Sequence, residues 1–259
     1  EWVARDALEG NEYALKVDGI IDRSLVKQPV MTLPYGATLK GMQDQIEDVI
    51  KRKGNPTSLD TRSMWPVCGY LAQLTYEAIS QVVIAAVAAM SWLQGVAKAV
   101  AGEESAICWT TPVGLPVRQE YREFTSHRIY IYIDGVKQRM TISEEGRKLD
   151  KRRQRAGIAP NLVHSFDAAH MMKTVNRCVD MGLDSFAMIH DSYGTHACDV
   201  PALHEALRES FVEMYSADLL GRFRDEVAAQ VSPDVEFPPM PPVGSLDLEA
   251  VLESPYFFA

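Results

Sequence analysis

Cysteine is scarce in this chain and nowhere paired at short spacing. The 259 residues hold four, Cys68, Cys108, Cys178 and Cys198, with no Cys-x-x-Cys among them. That pattern argues against a disulfide framework or a zinc motif and reads as reduced thiols of a cytoplasmic protein. A long hydrophobic run is missing too. The longest apolar stretch spans Val82 to Met90 and is interrupted by Ser91 and Gln94. A helix needs about 20 apolar residues to cross a bilayer, so a buried core helix is expected and no membrane partner. No basic segment followed by an apolar one suggests a secretory signal. The chain opens on Glu1 and not on a methionine, which leaves two readings, a shortened protein or part of a longer one. Positive charge is also in deficit. The net charge is −9, which by itself counts against nucleic acid as a partner.

What is present is an ordinary globular mixture, 47% hydrophobic and 24% charged, enough for one large domain or two. The charge is unevenly spread. From Lys137 to Arg155 eight basic residues face three acidic ones, the kind of local basic stretch that tracks a phosphate backbone in an otherwise acidic enzyme; a solvated loop has the same composition. Residues 38–52 alternate with helical period and stop at Gly54-Asn55-Pro56. Residues 67–101, rich in Ala and Val, read as one or two buried helices. Pro112, Gly114 and Pro116 make 109–120 a loop or an edge strand. Arg128 to Ile133 alternates with period two, and Asp134-Gly135 then predicts a type I′ turn and a return strand from Val136 to Ile142. Helices are expected over 164–181 and 201–230, and a short strand from Phe186 to Ile189. The five prolines between Ser232 and Gly244 predict an extended spacer.

Two constellations carry chemistry. Arg23, Lys27, Met31 and Tyr35 recur at steps of four, which on an α-helix places them along one face. Two cations followed by a flexible apolar residue and a phenol suit a nucleoside triphosphate. The cations meet phosphates, and the other end meets base and sugar. A surface helix with Met31 and Tyr35 buried has the same spacing. Pro29 requires such a helix to kink or to start late. The second constellation is a lone carboxylate. Asp191 follows the apolar run Ser185 to Ile189 and would sit exposed at a bend, where it can hold Mg²⁺ or serve as an ordinary turn residue. His164 and His170 are six apart, neither i,i+3 nor i,i+4 on a helix, so zinc is not expected there and His170 is assigned to helix packing.

Arg23-x3-Lys27-x3-Met31-x3-Tyr35-Gly36 resembles motif B of nucleic-acid polymerases. The fuller string RSLVKQPVMTLPYG is similar to the single-subunit RNA polymerases of the phage and mitochondrial type. IHDSYG resembles motif C of the same enzymes, and His190-Asp191-Ser192 favours the RNA enzymes over family A DNA polymerases, which usually read His-Asp-Glu. GIAPNLVHSFDAAHMMKTV also resembles the family, and the likeness runs from about Asp18 to Ala259. It implies an α+β fold, predominantly helical, forming right-hand fingers and a partial palm with a small antiparallel sheet. Residues 1–65 would be a fingers region with the motif B helix, 66–108 buried palm and fingers helices, 109–160 strands, a specificity-loop-like hairpin and the basic run, and 161–259 a palm with the motif C hairpin and an aromatic C-terminal foot, with Ala259 a natural end.

For the site, the resemblance implies Lys27, Asp191 and Tyr35 as catalytic residues. Arg23, Lys27, Met31, Tyr35, Gly36 and His164 would bind nucleotide, and Asp191 would hold metal in a mechanism using two Mg²⁺ ions. Arg128, Tyr130, Gln138 and Met140 would read promoter DNA from the hairpin between about Tyr121 and Ile142. The expected partners are double-stranded promoter DNA, a template strand, nascent RNA, ribonucleoside triphosphates and the N-terminal portion of the same polymerase. The family's second metal-binding carboxylate lies in motif A, and neither Asp6 nor Asp18-Gly19 resembles it, so this chain is expected to be inactive alone. The expected compartment is the cytoplasm of a phage-infected bacterium. A family A DNA polymerase fragment and a non-catalytic DNA-binding module on a polymerase scaffold are the alternatives.

Overall fold

The computed structural model describes all residues except 56–58, 190, 255, 256, 258 and 259, and the side chain of residue 61. The chain divides into two compact units, Glu1–Trp92 with Met240–Val243, and Leu93–Pro239 with the residues from Gly244 on.

The first unit is helical. Its elements are α1 (Trp2–Leu8), α2 (Glu12–Val17), α3 (Arg23–Thr32) running into a 3₁₀ turn (Leu33–Tyr35), α4 (Leu39–Arg52), α5 (Thr61–Val82) and the start of α6 (Ile84–Gly102). Asp22, Thr38 and Asp60 cap α3, α4 and α5 by accepting the N–H groups of Leu25, Gly41 and Ser63. In α4 the buried residues are Met42, Ile46, Val49 and Ile50, the i, i+4, i+7, i+8 stripe that the sequence pattern predicts. They join Leu25, Leu33, Met64, Val67, Cys68 and Leu71 in one core. Helix α4 ends where Gly54 and Asn55 take positive φ, 78° and 51°, conformations that favour those two residues. The apolar stretch of 67–101 is two helices, broken at Val83. Among the described helices α6 alone is long and apolar enough to cross a membrane; its Trp92, Leu93, Val96, Ala97, Val100 and Ala101 are buried in the protein.

The second unit mixes helices with three separate two-stranded antiparallel sheets. Strands β1 (Ile107–Thr110) and β2 (Pro116–Gln119) form a hairpin that overlaps the stretch 109–120 expected to be loop or edge strand. The free edge of β1 is closed by side chains rather than by a third strand. Gln230 accepts from the Cys108 N–H (2.9 Å) and donates to its carbonyl (2.7 Å), and Glu226 accepts from the Thr110 N–H (2.6 Å). Strands β3 (Arg122–Ile133) and β4 (Val136–Leu149) form the long hairpin. Asp134 and Gly135 both have positive φ, 49° and 79°, as a type I′ turn requires.

The helix expected from residue 164 starts thirteen residues earlier, so that α7 covers Lys151–Asp180. The basic residues from 151 to 155 therefore lie on its first turns. The motif C segment is a hairpin of β5 (Ala187–Ile189) and β6 (Ser192–Gly194). After it come α8 (Val200–Tyr215), α9 (Leu219–Ala228) and the short α10 (Ala250–Glu253), with the proline-rich stretch, which holds neither helix nor strand, between the last two. Of the aromatic terminus, only Phe257 is described; its ring packs edge-on against Phe211 at 4.8 Å.

Candidate active site

Helix α3 buries one face and shows the other. Leu25 and Pro29, with Leu33 just beyond the helix, turn into the core, four residues apart. Two positions further round, about 200° away on a helix, Arg23, Lys27 and Met31 are exposed, Met31 by 57%. The helix does not start late. It begins at Arg23 and carries Pro29 inside it. Only the bond to the Leu25 carbonyl is forgone, and burial of the ring against the core offsets that loss. Tyr35 does not continue the helical face. It sits in the 3₁₀ turn, 38% exposed, and Gly36 follows at φ +85°, a left-handed position that a glycine occupies without strain.

Lys27 and Met31 border a cleft of about 510 Å³ between α3 and α4. Ser24, Gln28 and Thr32 complete its α3 wall, and Val49, Arg52 and Lys53 form the α4 wall. Arg23 and Tyr35 are not part of that lining. The two helices are tied at both ends. Lys53 Nζ pairs with Asp22 Oδ2 at 2.6 Å, and Thr32 Oγ1 bonds Gln45 Oε1 at 3.2 Å. The Lys53 ammonium, aided by the Ser24 hydroxyl, holds the Asp22 carboxyl down at about 2. A larger cleft of 720 Å³ in the same unit is lined by apolar groups such as Val30, Leu74 and Val82 and offers little polar chemistry. Asp6 is already engaged. Its carboxylate accepts from Tyr70 at 2.7 Å and is held below its ordinary value by that bond and by Arg5.

In the second unit, β5 and β6 pair Ile189 with Ser192, which places Asp191 at the tip of the hairpin. His190 lies outside the described residues; Asp191 is exposed. The strands are anchored through their inner face. Met188 and Tyr193 pair across the hairpin and pack against a core of Cys178, Leu183, Leu203 and Ala206. Behind Tyr193 lies His170, 2% exposed. Its Nε2 lies 3.0 Å from the Leu207 carbonyl, and its Nδ1 lies 3.4 Å from the Tyr193 hydroxyl. A carbonyl only accepts, so Nε2 carries the proton and Nδ1 accepts from Tyr193. Burial lowers the His170 pKa, and burial likewise pushes Tyr193 up to about 12, with Asp167, Tyr215 and Asp191 adding to it. The helix-packing role expected of His170 holds, and it also supports the strand that follows Asp191. His164 lies exposed on α7. Lys27 and Asp191 belong to different units.

The long hairpin separates the four expected DNA readers by face. Side chains directly opposite share a face, and alternate residues change face. Arg128 pairs with Thr141 and Tyr130 with Arg139 on one face, and Tyr132 with Lys137 beside them. Lys137 Nζ lies 4.3 Å over the Tyr130 ring. Gln138 pairs with Ile131 and Met140 with Ile129, on the opposite, largely aliphatic face. The alternation and the two-residue turn were both legible in the sequence and fix this register; Lys137 and Arg139 were the neighbours not singled out from it. Arg52 and Lys53, missed beside Lys27, had no such local signal, since α3 and α4 meet only through tertiary packing.

The sequence profile of the DNA-dependent RNA polymerase family matches residues 1–235. The mitochondrial DNA-directed RNA polymerase 1B of Nicotiana tabacum is 44% identical over 92% of this chain, and the mitochondrial DNA-directed RNA polymerase 1 of Arabidopsis thaliana is 44% identical over 95%. The chain spans 23% and 24% of those two relatives' lengths. It spans 69% of the DNA-directed RNA polymerase 2A of Nicotiana tabacum, at 42% identity over 92% of this chain. These relatives overturn one expectation. Those with a stated compartment are mitochondrial or chloroplastic plant enzymes, so a bacteriophage origin and the cytoplasm of an infected bacterium are incorrect; the motifs are shared by phage and organellar enzymes, and nothing in them encodes a compartment. The RNA-polymerase reading of His190-Asp191-Ser192 agrees with the relatives, and the chain belongs to the DNA-dependent RNA polymerase family.

Proposed function

We propose that this chain supplies the nucleotide-gripping helix and one metal-binding carboxylate of a DNA-directed RNA polymerase that copies a DNA template from ribonucleoside triphosphates, in a plant-type organelle. The first unit acts as a fingers segment and the second as a palm segment. The observation that carries this reading is the exposed Arg23–Lys27–Met31 face of α3, backed by a buried face and bordering a cationic cleft, in a chain that also presents Asp191 at the tip of a hairpin.

Lys27 neutralises charge developing on the departing pyrophosphate, and Arg23 contacts the same phosphates. Tyr35, with Gly36 setting its turn, meets the ribose, and His164 lies by the sugar. Asp191 is a hard oxygen donor of the kind magnesium takes, one or two carboxylates with the rest of the shell left to substrate and water. Asp191 is the one such ligand that the motif C resemblance assigns to this chain for the pair of ions expected in the complete enzyme. Mg²⁺, when bound, supplies Lewis-acid stabilisation of the attacking and leaving oxygens. The cationic-aromatic face of the long hairpin, Arg128 and Tyr130 with Lys137 and Arg139, reads promoter DNA in the major groove, which admits a two-stranded ribbon. Gln138 and Met140 contribute from the other face or at its edges. The template strand and nascent RNA are further partners, and the remaining one is the polypeptide of the same polymerase that carries the second carboxylate.

Template-directed incorporation of labelled ribonucleotides by the polymerase carrying this chain is the test. Asp191→Asn lowers turnover by about a thousandfold or more, the scale of losing a metal ligand at the reacting phosphate, with affinity for promoter DNA within about twofold. Turnover within a few-fold of wild type removes Asp191 from the metal site.

A further inference from the structure

The cleft beside Lys27 has a second wall whose chemistry nothing above uses. Three cations line it, Lys27 from α3 and Arg52 and Lys53 from α4, and none of its lining residues is acidic. Lys53 is committed to Asp22 at 2.6 Å. Arg52 is not committed in this way. Its Nε reaches only the Asp48 carbonyl of its own helix, at 3.3 Å, and it takes part in no ion pair among the described residues. Its remaining guanidinium donors are therefore available to a ligand. The Asp22–Lys53 pair joins the start of α3 to the end of α4 and so holds the Arg52 end of one helix beside the Ser24–Lys27 end of the other. Gln28 adds a neutral amide to the same cleft. A wall of fixed cations without carboxylates, about 510 Å³ in volume, matches a compact polyanion in charge and size.

We propose that Arg52 is a second phosphate-binding residue, acting from α4 opposite Lys27, and that the α3–α4 cleft takes the polyphosphate tail of a nucleoside triphosphate or the pyrophosphate released from it. The inference rests on the reading of α3 as the nucleotide-gripping helix and adds to it a wall contributed by a different helix. A guanidinium supplies planar paired donors to non-bridging phosphate oxygens, while Lys27 provides a point charge.

Titration of this chain with inorganic tripolyphosphate, and in parallel with a short single-stranded DNA, decides the matter for wild type, Lys27→Gln and Arg52→Gln. Arg52 is exposed on the last turn of α4, so the fold survives its replacement; circular dichroism of each variant verifies that. Each substitution is expected to weaken tripolyphosphate binding about fivefold or more, the size of one lost charge-assisted contact at a solvated site, with DNA affinity changed by less than about twofold. Loss with Lys27→Gln but not with Arg52→Gln overturns the role of Arg52 and leaves α3 as the nucleotide helix. No loss with either, or no binding by the wild type at millimolar tripolyphosphate, overturns both. If Arg52→Gln instead weakens DNA and reduces its salt dependence, the cleft follows a nucleic-acid strand and the polyphosphate assignment fails.

Discussion

His170 shows how one buried side chain ties the candidate site to stability. It is neutral in the folded state, it bonds the Leu207 carbonyl through Nε2, and burial lowers its pKa despite Asp167 and that bond, which act in the other direction. An unfolded histidine titrates near 6.5. Above that value both states are neutral and the group is without effect. As pH falls below it, the unfolded chain gains a proton that the folded chain resists, so stability declines until the depressed folded value is reached. Urea unfolding between about pH 7.5 and 5 is expected to show this decline, and His170→Gln to flatten it; equal slopes in the two proteins would remove His170 as its source. At this scale residue type alone left the site open. Lys27 and Asp191 were singled out through the family resemblance, because a cation at helical spacing from an aromatic, and a carboxylate in a turn, are common combinations. His170 offered no sign of its bond to α8, which depends on where another helix passes.

At the scale of elements, period and turn chemistry were read well and proline was over-read. The alternation of Arg128–Ile133 and the Asp134-Gly135 pair gave the hairpin and its turn, although the strands run further, to Arg122 and Leu149. By contrast, α3, α5 and α7 pass through Pro29, Pro66 and Pro160. Each loses one backbone bond, and apolar residues buried on either side, such as Ile158 and Leu162 in α7, outweigh the loss. The stretch Gly157-Ile-Ala-Pro160 has a physical reason that a single sequence does not disclose. A Cβ on Gly157 would stand 2.6 Å from the Tyr121 ring. Tyr121 also receives a bond from Asn161 at 3.0 Å and lies under Arg153, so it fastens the base of the long hairpin to α7. Gly157→Ala is expected to destabilise the protein by about 1–3 kcal/mol, the usual cost of overpacking; a melting temperature equal to that of the wild type would show that Tyr121 yields freely.

At the scale of the whole molecule, the α+β class and its mostly helical content were legible from the helical period of residues 38–52, the apolar run 67–101 and the family resemblance. The division of the strands into three separate pairs was not, since the edge of β1 is closed by Glu226 of α9 and by Gln230 just beyond it, more than a hundred residues away. Compartment was misread because motif chemistry is the same wherever the enzyme works. The nucleotide reading requires that Lys27 in one unit and Asp191 in the other act on one bound triphosphate. Hydroxyl-radical cleavage tests that directly, with Fe²⁺ in place of Mg²⁺ in the polymerase carrying this chain and a nucleoside triphosphate bound. Backbone scission is predicted at two places, around the Asp191 tip and within Arg23–Met31 of α3. Scission confined to the tip, with α3 uncut, would contradict the account.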